Sequence, residues 1–448
     1  MAEARVAFRG DRSGGGPLTW GQRAIWNAIR RTVPNDHYFN LSRVLALGGR
    51  TVSVAEATAA LAALIGRHEA LRTRIAGDPG EPRQELAAAG ELPVAIVEGG
   101  DPEQLAERLA GTTFDYAGEW PLRAGLVTAG GQVSHVVLAL CHLATDGHGA
   151  EILVRDLRVL IRRVGSLRPP ATTPLALAEQ QHSEDGRRRG AAALDYWAEQ
   201  FARMPATMFP DVVAQPRQPR FWTGRIVSTA ITRAVDTLAA RHKVSGSTVL
   251  LTAAAALAAA HGGHPAAAVM PIVANRFTPA ARDLVSTLSQ DGLVVLDLDR
   301  PTFGELLRPG WQAAVRGYRR AAYDPVGWDA VLERAALERG TEVHPYCCYN
   351  DMRLVETGPG AGIADAATLH AARAETRVDF PATQERVACR YCLHLTAAGP
   401  ASVVTLTADT AYLPPAAIEA HLRGLEELLV TAAVDDVPTD RLPALLEA

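Results

Sequence analysis

Residues 133–161 read VSHVVLALCHLATDGHGAEILVRDLRVLI, and this stretch decides the fold. Its first eight residues have the apolar pattern of a buried strand, interrupted only by two polar positions. The residues after position 150 recur at the spacing of one helix face: Ile152, Leu153, Leu157, Leu160 and Ile161. A Gly-rich turn carrying His142 and Asp146 separates the two patterns, and α/β proteins commonly expose functional groups at such turns. The stretch therefore predicts an α/β protein with a functional site at this turn.

The residues of the turn allow several interpretations. An imidazole at His142 can accept a proton near neutral pH, and Gly147 allows a substrate to approach main-chain N–H groups. In a purely structural interpretation, His142 is a hydrogen-bonded core residue and Asp146 caps the following helix. A metal site would use His142, Asp146 and His148, although no further ligand set is obvious. Cys141 is a poor nucleophile for His142 to activate, because adjacent residues at a strand end point to opposite faces.

Other helices and strands fit the same class. Capping boxes at Thr19/Gln22 and Ser53/Glu56 each predict the start of a helix. Strand-like segments lie at residues 43–47, 93–97, 133–140, 225–230, 268–273, 293–298 and 402–407. The proline-rich stretch 168–174 breaks the chain after a long helix, and residues 358–362, GPGAG, form a second candidate loop. We expect an α/β (α+β) fold with a flexible N-terminus at 1–16 and two lobes at 17–170 and 171–448.

Composition excludes several classes of protein. The 448 residues include 45 Lys and Arg against 49 Asp and Glu, which argues against a chain built to bind nucleic acid. The apolar run 249–260 is shorter than a membrane span and indicates a buried helix. The N-terminus lacks the apolar segment of a secretion signal. We therefore predict a cytoplasmic protein that binds neither nucleic acid nor membrane.

The five cysteines raise the question of a metal site. Cys347, Cys348, Cys389 and Cys392 allow a four-thiolate zinc site by composition. Two adjacent cysteines on a regular strand cannot easily point to one ion, and both local sequences are typical of strands. We expect these residues to be small buried side chains, with no disulfide framework and no metal.

Several motifs resemble one known family. Residues 141–147, CHLATDG, resemble the HHxxxDG signature of the condensation-domain superfamily of nonribosomal peptide synthesis, with Cys141 at the first histidine. Further stretches resemble family motifs in the family order: PLTWGQR at 17–23, RHEALRTR at 67–74, DYW at 195–197 and NR at 275–276. The residues 285–292 depart from the later motif of the family, IGxFVNT. The ordered set spans most of the chain.

The resemblance implies a V-shaped pair of chloramphenicol-acetyltransferase-like lobes with a central channel. It implies that His142 acts on the acceptor nucleophile, and that the N–H of Gly147 positions the reacting carbonyl. Asp146 and Arg276 then form a structural pair that holds the turn, and Cys141 has a structural role. Residues expected to line the channel are His148, Asn275 and Trp20, although Trp20 also suits core packing.

The resemblance further implies the chemistry. A condensation-type acyltransferase joins a carrier-bound acyl or aminoacyl thioester to an amine, or less readily a hydroxyl, in natural-product biosynthesis. No cofactor is bound by the chain; the donor arrives on the phosphopantetheine arm of a separate carrier protein, and the acceptor is a small molecule. Because residues after 433 do not resemble a carrier protein, we expect a freestanding protein. The alternatives are a non-catalytic relative that recruits a carrier protein or tailoring enzyme, and an epimerase.

Overall fold

The computed structural model describes residues 2–49, 51–353, 362–387 and 389–447. They form two compact units. The first unit comprises Met1–Ala191, Ala274–Gln290 and Ala322–Pro325, and the second comprises Ala192–Val273, Asp291–Ala321 and Val326–Ala448. The first unit thus extends beyond the lobe expected at 17–170, because two later segments pack with it. Residues 358–361 of the second expected loop lie outside the described ranges.

Each of the seven predicted strand segments overlaps a strand of the structure, and helices begin directly after the capping residues Thr19 and Ser53, but nine further strands among the described residues lie outside those segments. The strands are β1 (Ala2–Arg9), β2 (Gly14–Pro17), β3 (Leu41–Ala46), β4 (Thr73–Ala76), β5 (Arg83–Leu86), β6 (Ala89–Glu98), β7 (Leu122–Ala129), β8 (Gln132–Leu140), β9 (Phe221–Ser228), β10 (Ala266–Val273), β11 (Gln290–Asp291), β12 (Val294–Asp297), β13 (Cys347–Asp351), β14 (Arg377–Gln384), β15 (Tyr391–Ala398) and β16 (Ala401–Asp409). The helices are α1 (Trp20–Thr32), α2 (Val54–Arg67), α3 (Pro102–Ala110), α4 (Gly147–Arg162), α5 (Pro174–Gln181), α6 (Glu184–Arg203), α7 (Thr229–His242), α8 (Gly246–His261), α9 (Pro279–Arg282), α10 (Phe303–Arg319), α11 (Pro325–Arg339), α12 (Ala366–Arg373) and α13 (Pro415–Val434).

The first unit is built on a five-stranded sheet with strand order β1-β6-β7-β8-β3. Strand β8 is buried on both faces, which explains its nearly continuous apolar sequence. Val136 and Leu138 pack into one core with residues of α2 and α4. Val137 points the other way and packs against Leu105 of α3. A strand covered by helices on both faces therefore ends at the turn that carries His142.

The N-terminus is a paired strand, so the expectation of a flexible segment at 1–16 is wrong. Strand β1 pairs antiparallel with β6 from Ala2↔Ile96 to Arg9↔Ala89. The cause is an alternating pattern in which Val6 and Phe8 are buried while their neighbours face solvent. Charged residues and the glycines at 14–16 conceal this short pattern in the sequence.

The second unit contains a sheet with strand order β10-β13-β15-β16-β9-β14, and β12 pairs with β10. Helix α8 is buried along most of its length, as its alanine-rich sequence predicts. Of the described helices, none by itself has the length and apolar composition to cross a bilayer; α7 and α8 reach that measure only as a pair, bent by 105°.

Two cysteines of the second unit are joined, which corrects the expectation of small buried thiols. Cys348 and Cys389 form a disulfide. The bond arises because β13 and β15 pair in parallel, with Cys348 opposite Cys392, and Cys389 lies three residues before Cys392. Cys347 remains a buried free thiol, as expected.

Candidate active site

The turn after β8 is held by main-chain hydrogen bonds. The N–H of Cys141 donates to the carbonyl of Pro121 at 3.0 Å, and the N–H of Ala144 donates to the carbonyl of Cys141 at 2.9 Å. Asp146 is the N-cap of α4, and its Oδ1 accepts from the N–H of Gly149 at 2.8 Å. The local sequence accounts for the cap, because a cap aspartate satisfies an N–H that the first turn of a helix leaves free.

Asp146 also forms a buried ion pair within the first unit. Its Oδ1 lies 2.7 Å from Nη2 of Arg276, and the two side chains are only 4% and 6% exposed. Its Oδ2 accepts from the N–H groups of Leu288 and Ser289 at 3.0 and 3.2 Å. Both carboxylate oxygens are thus used by protein donors, which leaves neither for a metal ion shared with His142 and His148. The contacts make Asp146 the junction between the turn and residues 276–289.

Residues 276–289 are folded around Arg276. Its Nη1 donates to the carbonyls of Ala281 and Leu284 at 2.9 and 2.7 Å. The preceding Asn275 has a positive φ of 53°, a conformation that asparagine adopts more readily than most residues. Its Nδ2 donates to the carbonyl of Leu288 at 3.0 Å. The pair Asn275-Arg276 therefore shapes the loop that reaches Asp146.

The same loop contacts the main chain of His142. The hydroxyl of Thr287 donates to the carbonyl oxygen of His142. The loop also packs closely on α1, since a Cβ on Gly21 would lie 2.2 Å from the carbonyl oxygen of Thr287. The position of His142 is therefore fixed by its own turn and by a loop that follows about 140 residues later.

The imidazole of His142 is partly exposed, and its ring lies at 76° to the ring of Phe39 with a centroid distance of 6.5 Å. Its Nδ1 is buried, and within the part of the chain that the structure describes it has no hydrogen-bond partner. Burial lowers the pKa of His142 from its ordinary value of 6.5, while the nearby Asp146 carboxylate opposes the shift. The ring is therefore a neutral base at neutral pH.

The start of α4 lies beside open space. A Cβ built on Gly147 would meet no heavy atom within 4 Å. Burial lowers the pKa of the neighbouring His148, and the positive charge of Arg276 adds to the effect. Gly147 thus leaves room for another molecule to approach the positive end of the helix dipole.

Cys141 faces the apolar interior on the other side of the strand end. Its side chain is 2% exposed and belongs to a core cluster with Leu18, Ile29 and Leu143. Burial raises the pKa of the thiol to about 12. A small cavity between Cys141, Gln22 and Tyr116 adjoins it. A neutral thiol in these surroundings does not act as a nucleophile at neutral pH.

Trp20 lies in the core of the first unit. It is 4% exposed, and its ring lies beside Gly190, where an added Cβ would come within 3.1 Å of the indole. The main-chain N–H of Trp20 donates to Oε1 of Gln181 at 2.8 Å. These contacts support the packing interpretation of Trp20 over a position on an open surface.

The RHEALRTR stretch forms part of the scaffold behind the turn. Arg67 Nε and His68 Nε2 lie 2.9 and 3.0 Å from Oδ2 of Asp156, which is fully buried in α4. Burial alone would raise the pKa of Asp156, but hydrogen bonds from His68, Arg67 and Arg155 lower it below its ordinary value. This network joins the end of α2 to the middle of α4 and so positions the helix that Asp146 caps.

The sequence patterns located the turn but missed the loop that supports it. Thr287 contacts the turn through its hydroxyl, and Leu288 and Ser289 contact it through their main-chain N–H groups. Main-chain donors carry no side-chain signal, and this stretch departs from the family motif expected there. Their one sequence cue is proximity to Asn275-Arg276.

Comparisons with known proteins bear on the family and the fold of the chain. A family model described as Condensation domain matches residues 14–288, which is more than half of the chain. The isonitrile lipopeptide synthase of Mycobacterium tuberculosis is 29% identical over 358 residues, which covers 73% of this chain but only 14% of that protein.

Solved structures show the same fold. The condensation domain from Monacolin K polyketide synthase MokA has a TM-score of 0.75 and 16% identity, and the match covers 96% of this chain and 100% of that one. The X-domain from teicoplanin biosynthesis has a TM-score of 0.71 and 20% identity, with coverage of 97% and 98%. These likenesses show the α/β architecture expected from the chloramphenicol-acetyltransferase resemblance. By its match over residues 14–288, the chain belongs to the condensation-domain family.

Proposed function

We propose that the chain is a condensation-type acyltransferase that joins a carrier-bound acyl or aminoacyl thioester to an amine. One observation carries the proposal: a partly exposed, neutral imidazole at His142, held by a turn whose Asp146 is tied to Arg276. Aminolysis of a thioester needs two aligned reactants, a proton acceptor and a donor for the developing oxyanion, and it needs no covalent enzyme intermediate. The residues of this turn match those needs.

His142 is assigned to the proton transfer. The amine nitrogen attacks the thioester carbonyl, the C–S bond breaks, and the nitrogen loses one proton to His142. That proton then passes to the leaving thiolate, so the products are an amide and a free thiol. The lowered pKa supports this role, because a ring that is neutral at pH 7 can accept the proton without first losing one.

The main-chain N–H of Gly147 is assigned to binding the carbonyl oxygen of the thioester. This N–H lies in the first turn of α4, where helical N–H groups lack partners within the helix and the helix dipole favours negative charge. The open space around Gly147 allows a thioester oxygen to come near that N–H. One such donor is worth about 3–4 kcal/mol in other acyl-transfer enzymes.

Donor and acceptor are proposed by class. The donor is a thioester on the phosphopantetheine arm of a carrier protein, and the acceptor is a small-molecule amine, or less readily an alcohol. The chain supplies no bound cofactor to this reaction. The family membership supports the thioester chemistry, and the neutral base at His142 supports an acceptor that must lose a proton.

The test compares His142→Ala with the unchanged protein. Aminoacyl thioesters of N-acetylcysteamine serve as donors and free amino acids as acceptors, and mass spectrometry measures the adduct. We expect adduct formation to fall by about 10²- to 10⁴-fold, the usual contribution of a general base. In the unchanged protein, kcat/KM is expected to fall only below pH 6.5, because the pKa of His142 is lowered.

The matched control is His135→Ala, which removes a partly buried histidine of β8 outside the turn. Turnover should survive this change. Equal rates for His142→Ala and the unchanged protein would contradict the proposal. If no donor is turned over and a loaded carrier protein binds the unchanged protein and His142→Ala equally, the non-catalytic alternative is the better account.

A further inference from the structure

Thiol and imidazole side chains are grouped at one place in the second unit. Cys348 lies on β13, Cys392 and His394 lie on β15, and Cys389 precedes Cys392 by three residues. None of these residues takes part in the proposed acyl transfer. The pattern Cys-x-x-Cys-x-His on one segment, with a further cysteine on a neighbouring strand, combines residue types that bind zinc.

The pairing of the two strands brings the group together. In the parallel register, Cys348 lies opposite Cys392, and Asn350 lies opposite His394. Alternate residues of a strand share a face, so Cys392 and His394 project on the same side as Cys348. Cys389, Cys392 and His394 are all partly exposed, which allows an ion to enter from solvent.

The three sulfur atoms lie close enough together for a single small ion. The Sγ atoms of Cys348, Cys389 and Cys392 all lie within 4.8 Å of one another, and Sγ of Cys392 lies 3.0 Å from Nε2 of His394. Tetrahedral zinc with three sulfur ligands and one nitrogen ligand needs sulfur atoms about 3.8 Å apart and sulfur to nitrogen separations of about 3.6 Å. Binding the ion therefore requires the Cys348–Cys389 bond to open and the His394 ring to move toward the three sulfur atoms.

We propose that Cys348, Cys389, Cys392 and His394 bind a zinc ion when the disulfide between Cys348 and Cys389 is reduced. The site has three thiolates and one imidazole, a closed set typical of structural zinc. It joins β13 to β15 near the start of β15. The proposal is independent of the acyl transfer assigned to His142.

The disulfide and the zinc site are alternative states of the same cysteines. Two molecules of a thiol reductant supply two electrons and two protons to the Cys348–Cys389 bond, giving two protein thiols and one reductant disulfide. Zinc then displaces three protons, one each from Cys348, Cys389 and Cys392. In the reverse direction, a small disulfide oxidant takes two electrons from Cys348 and Cys389, takes up two protons and becomes two thiols, which removes two of the four ligands and releases the ion.

The four-thiolate set that the sequence suggests contains Cys347 beside Cys348, and adjacent strand residues point to opposite faces. In the structure Cys347 is 2% exposed on the face opposite Cys348, together with Tyr349. His394 is the proposed fourth ligand, and only the register between β13 and β15 brings it to the sheet face of Cys348 and Cys392.

The test measures metal in the full chain. The protein is reduced with dithiothreitol, freed of reductant without air, mixed with zinc chloride and passed through a desalting column. We expect about one zinc per chain by elemental analysis, as a single four-ligand site requires. Cobalt chloride in place of zinc should give the visible absorption of a tetrahedral ion with thiolate ligands.

Variants separate the ligands from the other cysteines. Cys392→Ser and His394→Gln should each weaken zinc binding at least about tenfold, while the matched control Cys347→Ala should retain it. Equal zinc binding in Cys392→Ser and Cys347→Ala would overturn the assignment. So would a reduced, unaltered protein that binds no zinc or gives no tetrahedral cobalt spectrum, a result that does not depend on the folding of any variant.

Discussion

At the scale of the residue, two neighbours in the chain have opposite surroundings. Cys141 is enclosed by apolar side chains, and burial raises the pKa of its thiol to about 12. His142 faces the other way and is partly exposed, and burial lowers the pKa of its ring. Both shifts favour the neutral form of the group. A neutral thiol is inert and a neutral imidazole is a base, so the proposed chemistry belongs to His142 alone.

Gly147 offers a test of substrate approach at this scale. An alanine side chain at this position would meet no heavy atom within 4 Å, so Gly147→Ala should fold normally. The added methyl group would nevertheless occupy the space from which a carbonyl oxygen reaches the main-chain N–H. We expect turnover to fall by about 10²- to 10³-fold with little change in Tm, as measured by the adduct assay and thermal unfolding.

A second glycine of the same turn gives the contrast. At Gly149 an added Cβ would lie 2.1 Å from Oγ1 of Thr145, so Gly149→Ala should lower Tm. If Gly147→Ala keeps full turnover, the carbonyl does not approach from this side, and the role proposed for the Gly147 N–H is wrong.

At the scale of the element, the start of α4 is fastened to a loop from much later in the chain. Asp146 caps the helix through Gly149 and also accepts from Arg276 and from the N–H groups of Leu288 and Ser289. One carboxylate thus fixes the helix, the turn and the loop together. The turn keeps its shape because four donors converge on two oxygens.

Asp146→Asn should therefore destabilise the protein. The amide cannot replace both oxygens, and Arg276 would be left as a buried charge without its partner. Breaking one side of a buried ion pair costs about 3–5 kcal/mol, and we expect a loss of that size in the free energy of unfolding measured with urea.

Asp185→Asn is the matched control, because its pair with Arg188 is exposed and such pairs contribute little. Unchanged stability in Asp146→Asn together with abolished turnover would mean that Asp146 acts directly on the substrate.

At the scale of the whole molecule, a buried histidine makes global stability depend on pH. His421 of α13 is 3% exposed, and neither ring nitrogen has a hydrogen-bond partner among the described residues. It lies among Phe209, Tyr391 and His261. Burial lowers the pKa of His421 to about 3, so the folded protein holds this ring neutral over a range where the unfolded chain protonates it.

The sign of the pH effect follows from proton binding. Between pH 3 and 6.5 the unfolded state binds more protons at this position than the folded state, so stability rises with pH over that interval and is fully present above it. We expect His421→Leu to flatten the pH dependence of the free energy of unfolding. In the unchanged protein, protonation of His421 in the unfolded state changes this free energy by up to about 1.4 kcal/mol per pH unit. His370→Ala removes an exposed histidine and should leave the slope intact. The same slope in both variants would contradict this explanation.

The sequence by itself was informative wherever neighbouring residues decide the outcome. The buried strand β8, the capped start of α4 and the capping boxes at Thr19 and Ser53 all follow from side-chain period and from hydrogen bonds within four residues. The family resemblance added the pair of Asp146 with Arg276, which lie 130 positions apart and which no local pattern connects. The roles of His142 and Gly147 stay predictions until turnover is measured.

Only the tertiary structure decided which distant segments meet. It paired the N-terminal residues 2–9 with β6, brought the main chain of residues 287–289 to the turn, and placed Cys348 beside Cys392 and His394. The physical reason is that local preferences are set by a residue and its near neighbours, whereas strand register is selected by the packing of whole faces. Main-chain donors and a shared sheet face have no signature in the letters of a sequence, so they become visible only when the chain is folded.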